Sequence, residues 1–327
     1  MMSTSKAGGP LKMNTMNKLS PFIAMLLPVP LMWLSLKISE MYASALSVAL
    51  SIVFLIVLRS FKMLRGGFPN FLKRRPLLYS LLIFLMFMAL RSVYVLLYGF
   101  PAEKVSIIYF LMVFFIVYGI SFHESGFSKD KLMLNILFAI FVFLLISLVY
   151  ILSSFIAVFL LGLPMPTLVF QNLEIVPLTF VFMTLVVGVS EEWLFRGFFQ
   201  KLLLEKFTAG IALTVQAILF GIWHVVWHIS PNGIDIPGMF SHVFFSFIWG
   251  VLAGVMFIKT GSLLAPILVH GLWDTLVTHL YIKLPVSVMA YSPIGVAFIS
   301  IAGTFLTCLM IVIAIVVVPK TSEYLWR

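Results

Sequence analysis

Glu191, Glu192 and Arg196 stand in the stretch VVGVSEEWLFRGFFQ, which is otherwise almost wholly apolar or aromatic. Glu192 and Arg196 are spaced i and i+4 with the acid first, the favourable order for an ion pair on a helix. Each residue turns the helix by about 100°, so Glu191 points away from that pair and lies over Gly188 and Thr184, which leave room. The spacing predicts one neutralised carboxylate and a neighbour that is free to work. Further along stand His224 in FGIWH and His270 and Asp274 in HGLWD. A carboxylate facing an imidazole in a partly dry cavity activates water: the carboxylate is the base, and the imidazole orients the water or shuttles the proton. A second imidazole donates to a developing oxyanion. That arrangement suits hydrolysis of a peptide bond. The alternative chemistry is a metal, with Glu191, His224 and His270 as one three-residue ligand set. His224 and His228 form an H-x-x-x-H pair, but without the glutamate of H-E-x-x-H.

These groups sit in an unusual chain. Of 327 residues, 62% are hydrophobic and 10% charged, and the mean hydropathy is +1.17. Soluble domains are about half apolar and a quarter charged. Apolar runs of roughly 20 residues recur along the whole length, which predicts an all-α, polytopic transmembrane bundle. The expected spans are 20–38, 41–58, 77–99, 105–122, 132–163, 177–200, 209–228, 239–258, 263–280 and 292–318, about ten in all. Residues 1–17 read as a flexible tail, 18–176 as N-terminal membrane helices, 177–280 as the core carrying the polar motifs, and 281–327 as a last helix with a short basic tail. Ionisable groups within spans mark a functional interior by default. Glu191, Glu192, Arg196, His224, His270 and Asp274 all fall in three nearby spans. If spans 177–200 and 209–228 pack as an antiparallel hairpin, Glu191 and His224 share a level, with His270 close to it. Their expected cavity opens to the inner side.

The net charge of +10 does not point to nucleic acid, because the basic residues lie between apolar runs. They report orientation instead. With the N-terminus inside, the inner segments hold Lys6, Lys12, Lys18, the cluster from Arg59 to Arg75, Lys129, Lys131, Lys201, Lys206, Lys259, Lys320 and Arg327. The outer turns hold Lys37, Lys104 and Lys283. Both termini are therefore expected on the cytoplasmic side of a cell membrane. Arg91 lies within a span with no partner legible in the sequence. His228, His242 and His279 lie near span ends and read as polar interface residues, and His123 as solvated. Cys308 is a lone thiol in an apolar run, so no disulfide or Cys-based metal site follows.

Three pieces then line up in order on successive spans. EEWLFR fits E-E-x-x-x-R, FGIWH fits F-x-x-x-H, and HGLWD fits H-x-x-x-N/D. Together they resemble the CAAX protease and bacteriocin-processing family, which contains the type II CAAX prenyl endopeptidases. The resemblance covers about residues 177–280. It implies an integral membrane endopeptidase, glutamate-dependent and without a metal cofactor, acting on a membrane-associated and in some members prenylated peptide. Carried over by position, Glu191 and His224 would activate the water, His270 and Asp274 would sit at the oxyanion side, and Glu192 and Arg196 would support them. Prenyl endopeptidases often have Asn where this chain has Asp274. An ionised Asp only accepts hydrogen bonds, which points to a prokaryotic-type member and weakens the case for a CAAX substrate without removing it. The competing classes are a non-enzymatic membrane peptide-binding or immunity factor and a transporter with a proton relay. The complete Glu191, His224, His270 set favours the enzyme, and no internal repeat supports a transporter.

Overall fold

The computed structural model describes residues 67–99, 103–128, 130–160, 162, 164–230 and 233–283. The N-terminal tail, the expected spans 20–38, 41–58 and 292–318, and Cys308 lie outside the described residues. A short helix α1 (Asn70–Arg74) precedes α2 (Pro76–Tyr98), α3 (Glu103–Val117) and α4 (Leu132–Leu160). A strand β1 (Thr167–Phe170) leads into the long helix α5 (Leu173–Leu204). Then come α6 (Ala209–Ile222), the two-residue strands β2 (Ile229–Ser230) and β3 (Gly233–Ile234), α7 (Ile236–Thr260), α8 (Leu264–His279) and β4 (Leu280–Lys283).

Five described stretches are long and apolar enough to cross a membrane: Pro76–Leu97, Leu132–Ile156, Leu173–Leu204, Ala209–His228 and Ile236–Thr260. The expected spans 105–122 and 263–280 are shorter than the sequence suggested. They are helices of 15 and 16 residues, or roughly 22–24 Å at 1.5 Å per residue, against a hydrocarbon core of roughly 30 Å. The helix ends follow local rules. Pro76 opens α2, and Gly99, at φ 67°, closes it in the left-handed conformation that glycine adopts without strain. The Asp235 side chain caps α7 by accepting from the Gly238 amide at 3.1 Å.

The chain is not purely helical. β1 pairs antiparallel with β4, from Thr167 opposite Lys283 to Phe170 opposite Leu280. His279 fastens this corner. Its Nδ1 donates to the Gln171 carbonyl at 2.8 Å, and its Nε2 lies 3.0 Å from Thr179 Oγ1.

α6 and α7 cross closely because glycines leave the space. A Cβ on Gly250 would stand 2.9 Å from Ala217 Cα, and one on Gly221 2.9 Å from the Val243 carbonyl. The closeness brings polar side chains onto backbone carbonyls. The Gly250 carbonyl accepts from Gln216 at 2.8 Å and Arg196 at 3.3 Å, and the Gly254 carbonyl accepts from Gln200 at 3.2 Å. Around them lies a core of aromatic rings from four helices, including Phe84, Phe114, Phe195, Phe198 and Trp223.

α5 is irregular where the motif lies. Its turns widen to π geometry over Met183–Gly188 and Trp193–Gln200, with one α turn, Val189–Glu192, between them. π turns are rare and frequently found at functional sites. They also displace neighbours from α spacing, and α8 takes the space that Gly188 and Thr184 were expected to leave. A Cβ on Gly188 would stand 3.1 Å from the Ile267 carbonyl, and Thr184 packs on Gly271.

Candidate active site

Glu192 forms the expected pair. Its Oε2 lies 3.2 Å from Arg196 NH1, and neither side chain is exposed. The guanidinium carbon stands 4.4 Å from the centre of the Phe220 ring. The other oxygen, Oε1, accepts from His270 Nδ1 at 2.7 Å.

Glu191 is not the unpaired carboxylate that the sequence suggested. Its Oε1 accepts from Lys104 Nζ and, at 2.8 Å, from Trp223 Nε1, and Arg91 NH1 lies 3.8 Å away. Arg91 gains the partner that the sequence did not reveal, Glu103, at 2.7 Å. Glu103 Oε1 also lies 3.5 Å from Lys104 Nζ. Lys104 therefore belongs to the buried interior and not to an outer turn: the gap between α2 and α3 is short, and α3 begins inside the bundle. The second oxygen of Glu191, Oε2, has no hydrogen-bond partner and lies 3.6 Å from His270 Nε2.

The histidines divide into two sets. Both nitrogens of His270 face carboxylates: Nδ1 faces Glu192, and Nε2 faces Glu191 and, at 3.5 Å, Asp274 Oδ2. The ring is thus oriented mainly by Glu192, with Asp274 a second and more distant neighbour. His224 lies just beyond the end of α6, in a turn, and not on one helical face with His228. Its Nδ1 bonds the Phe220 carbonyl at 2.8 Å. A carbonyl only accepts, so Nδ1 carries the proton and Nε2 is left as the acceptor of the neutral ring. His224 is close enough to act on the Glu191 charge but makes no hydrogen bond or ion pair with it. Its ring packs on His242, with centroids 4.9 Å apart. His242 Nδ1 lies 3.0 Å from His228 Nε2, and His228 Nδ1 lies 3.6 Å from Asp235 Oδ2. His228 and His242, expected to be separate interface residues, thus form a polar row leading away from His224. Among the described residues, no group of three His, Cys, Asp or Glu side chains has metal-ligand placement.

This row is the polar path that leads from the site toward solvent-exposed residues. Toward the α5–α6 turn, every residue from Trp193 to Gln200 is buried. The polar route runs the other way, through Asp274 at 26% exposed and His228 at 16% to Asp235 at 63%. At the α5–α6 end, the loop after α3 is tied down by Lys201, which donates to the Glu124 carbonyl. The Glu124 carboxylate accepts from the Ser121 amide at 2.8 Å and its hydroxyl at 2.9 Å, and the amide bond first of all holds the carboxyl below its usual range. His123 is exposed, as expected, 3.1 Å from Asp130.

Sequence reasoning missed Glu103, Lys104, Trp223 and His242. A signal for two of them was present: opposite charges side by side at the head of an apolar run are rare within membranes and mark interior pairs.

The structure thus gathers Glu191, Glu192, Arg196, His270 and Asp274 around one buried point, with His224 alongside. All six fall within residues 172–276, which match the family model described as type II CAAX prenyl endopeptidase Rce1-like. Arg91, Glu103 and Lys104 lie outside the match. No curated protein and no solved structure matches the chain. With five helices able to cross a membrane, the chain has the makings of a membrane protein, and over residues 172–276 it is similar to the type II CAAX prenyl endopeptidase Rce1-like family of proteases, the family that its three motifs resemble.

Proposed function

We propose that the protein is an intramembrane endopeptidase that hydrolyses a peptide bond of a membrane-associated substrate with water activated by Glu191. The observation that carries this reading is the gap between Glu191 Oε2 and His270 Nε2, 3.6 Å wide in a buried site, with the other end of each group already anchored. A water beside Oε2 gives up its proton as its oxygen bonds the scissile carbonyl carbon. His270 Nε2–H donates to the carbonyl oxygen as it becomes an oxyanion. The carbon–nitrogen bond then breaks, and Glu191 returns the proton to the leaving amine. His224 Nε2 is an acceptor that helps hold the water. Glu192 and Arg196 keep His270 in place, and Asp274 supports its exposed side.

The substrate reaches the site from the Asp235 end. The opposite end carries Lys73, Arg74, Arg75, Lys201 and Lys206, so the charge bias supports a cytoplasmic location for it and for both termini in a cell membrane. The substrate is then met at the outer face.

The test is a fluorogenic peptide ending in a CAAX sequence, farnesylated and unmodified, given to purified protein in mixed micelles, with products read by mass spectrometry. Cleavage of either form is expected. It should fall about 10²–10⁴-fold in Glu191→Gln, the loss typical of a missing general base. It should persist after metal removal by a chelator. No cleavage of either peptide, or cleavage at full rate by Glu191→Gln, overturns the reading. Loss on chelation with recovery on adding zinc assigns the chemistry to a metal instead.

A further inference from the structure

The two oxygens of Glu191 have different surroundings. Oε1 receives Lys104 Nζ and Trp223 Nε1, with Arg91 3.8 Å away, while Oε2 has no hydrogen-bond partner. A carboxylate turns about a broad, roughly two-fold torsion, so unaided it does not choose which oxygen faces a neighbour. Donors on one oxygen make that choice.

Among them Lys104 is the charged group that bonds Glu191 directly, and its side chain is 3% exposed. Glu103 stands 3.5 Å behind it, and Glu103 also holds Arg91 at 2.7 Å. Two cations and two carboxylates therefore form a compact set with no net charge. Within it, the charge of Glu191 is balanced from α2 and α3, without recourse to Arg196 or His270. Arg91 and Lys104 also flank the Trp223 ring, at 4.7 and 5.3 Å from its centre, which keeps the indole N–H aimed at Oε1.

We propose that Lys104 is a positioning residue: its ammonium holds Oε1 of Glu191 so that Oε2 is the oxygen presented to water and to His270 Nε2. The role rests on the proposed function. It also extends the working site to α3, which lies outside the family match. Lys104 does not touch the reacting atoms and acts through Glu191.

The test uses the full chain in detergent with Lys104→Met, Lys104→Arg, Glu191→Gln and the double variant Lys104→Met/Glu191→Gln. The activity readout is kcat and KM on the farnesylated peptide. Lys104→Met should lose about 10- to 100-fold in kcat, the range of a hydrogen bond to a charged group, with KM within about twofold, the pattern of an interaction needed after binding. Lys104→Arg keeps the charge and the donor and should recover most of the rate. The stability readout is the melting temperature of all variants as a double-mutant cycle. Lys104→Met should melt well below wild type, because Glu191 is then buried without its ammonium, and adding Glu191→Gln should restore much of the loss. That restoration also keeps the test sound if Lys104→Met alone folds poorly.

A Lys104→Met variant with wild-type kcat overturns the proposal. So does a fall in kcat that Lys104→Arg leaves uncorrected in a protein that melts like wild type, and so do additive melting shifts. If wild type cleaves no peptide, the proposed function fails and the cycle alone judges the clamp: coupled shifts support it and additive shifts overturn it.

Discussion

Two neighbouring carboxylates on one helix turn are satisfied from opposite sides of the site, by different means. Glu192 takes its counter-charge from its own helix, four residues on, and uses its second oxygen to bind His270 of α8. Glu191 takes its counter-charge from Lys104, 87 residues away in sequence, with Arg91 and Trp223 from two further elements. The first side is local: one oxygen of Glu192 bonds His270, and the other faces Arg196 at 3.2 Å without a hydrogen bond. The second is assembled from distant helices and leaves one oxygen of Glu191 uncommitted. The difference teaches how one dipeptide is split into a structural acid and a working one: both charges are neutralised, but the second oxygen of Glu192 faces the Arg196 guanidinium at 3.2 Å, and that of Glu191 faces the His270 ring at 3.6 Å.

The sharpest way to break the local side is Arg196→Ala. It strands Glu192 in a fully buried position, which typically costs about 3–5 kcal/mol. Melting in detergent should fall sharply. A variant that melts with wild type would show that the pair does not hold the helix. His270→Gln removes the donor at the oxyanion, and turnover should fall about 10²–10³-fold, read on the same fluorogenic peptide. A fall under tenfold would take His270 out of the chemistry.

Asp274 sharpens the comparison from the other direction. Glu192 already fixes His270 Nδ1 at 2.7 Å, and Asp274 is a second neighbour at 3.5 Å on a partly exposed side. Asp274→Asn and Asp274→Leu should therefore each lower turnover by less than about tenfold, or 1.4 kcal/mol. A loss in Asp274→Leu as large as that in His270→Gln would give the orienting role to Asp274 instead.

The smallest effect belongs to Glu124 in the loop beyond α3. Its carboxyl is held below the usual carboxylate range, first by the Ser121 backbone bond. A depressed folded-state value adds stability above the unfolded one and loses it as pH falls. The loop contact should therefore weaken from about pH 4.5 downward, by less than about 1 kcal/mol because the group is exposed to solvent. Glu124→Gln should remove that part of the acid dependence of melting. An acid limb identical in both proteins would show that Glu124 contributes nothing to it.

Much of the site was legible because its parts lie close together in sequence. The i, i+4 spacing of Glu192 and Arg196 gave their pair, and the clustering of ionisable residues in adjacent apolar runs gave Glu191, His224 and His270. The helical class followed from the long apolar runs. Three things were hidden. The π turns of α5 depend on how α8 packs onto Gly188 and Thr184, and no local pattern encodes that. The Lys104 contact depends on α3 beginning inside the bundle, whereas hydropathy marks an apolar run and not its depth. The pairing of β1 with β4 joins two short segments more than a hundred residues apart, each too brief to show alternation.

The central claim is that Glu191 works and Glu192 holds. Glu191→Gln and Glu192→Gln, purified side by side, test it through turnover of the same peptide and melting temperature. Glu191→Gln should lose about 10²–10⁴-fold in turnover while remaining folded. Glu192→Gln should show the larger drop in melting temperature, because Arg196 is left buried without its partner. A Glu191→Gln protein that cleaves at the wild-type rate, or a Glu192→Gln protein that melts like wild type, would contradict the division of labour.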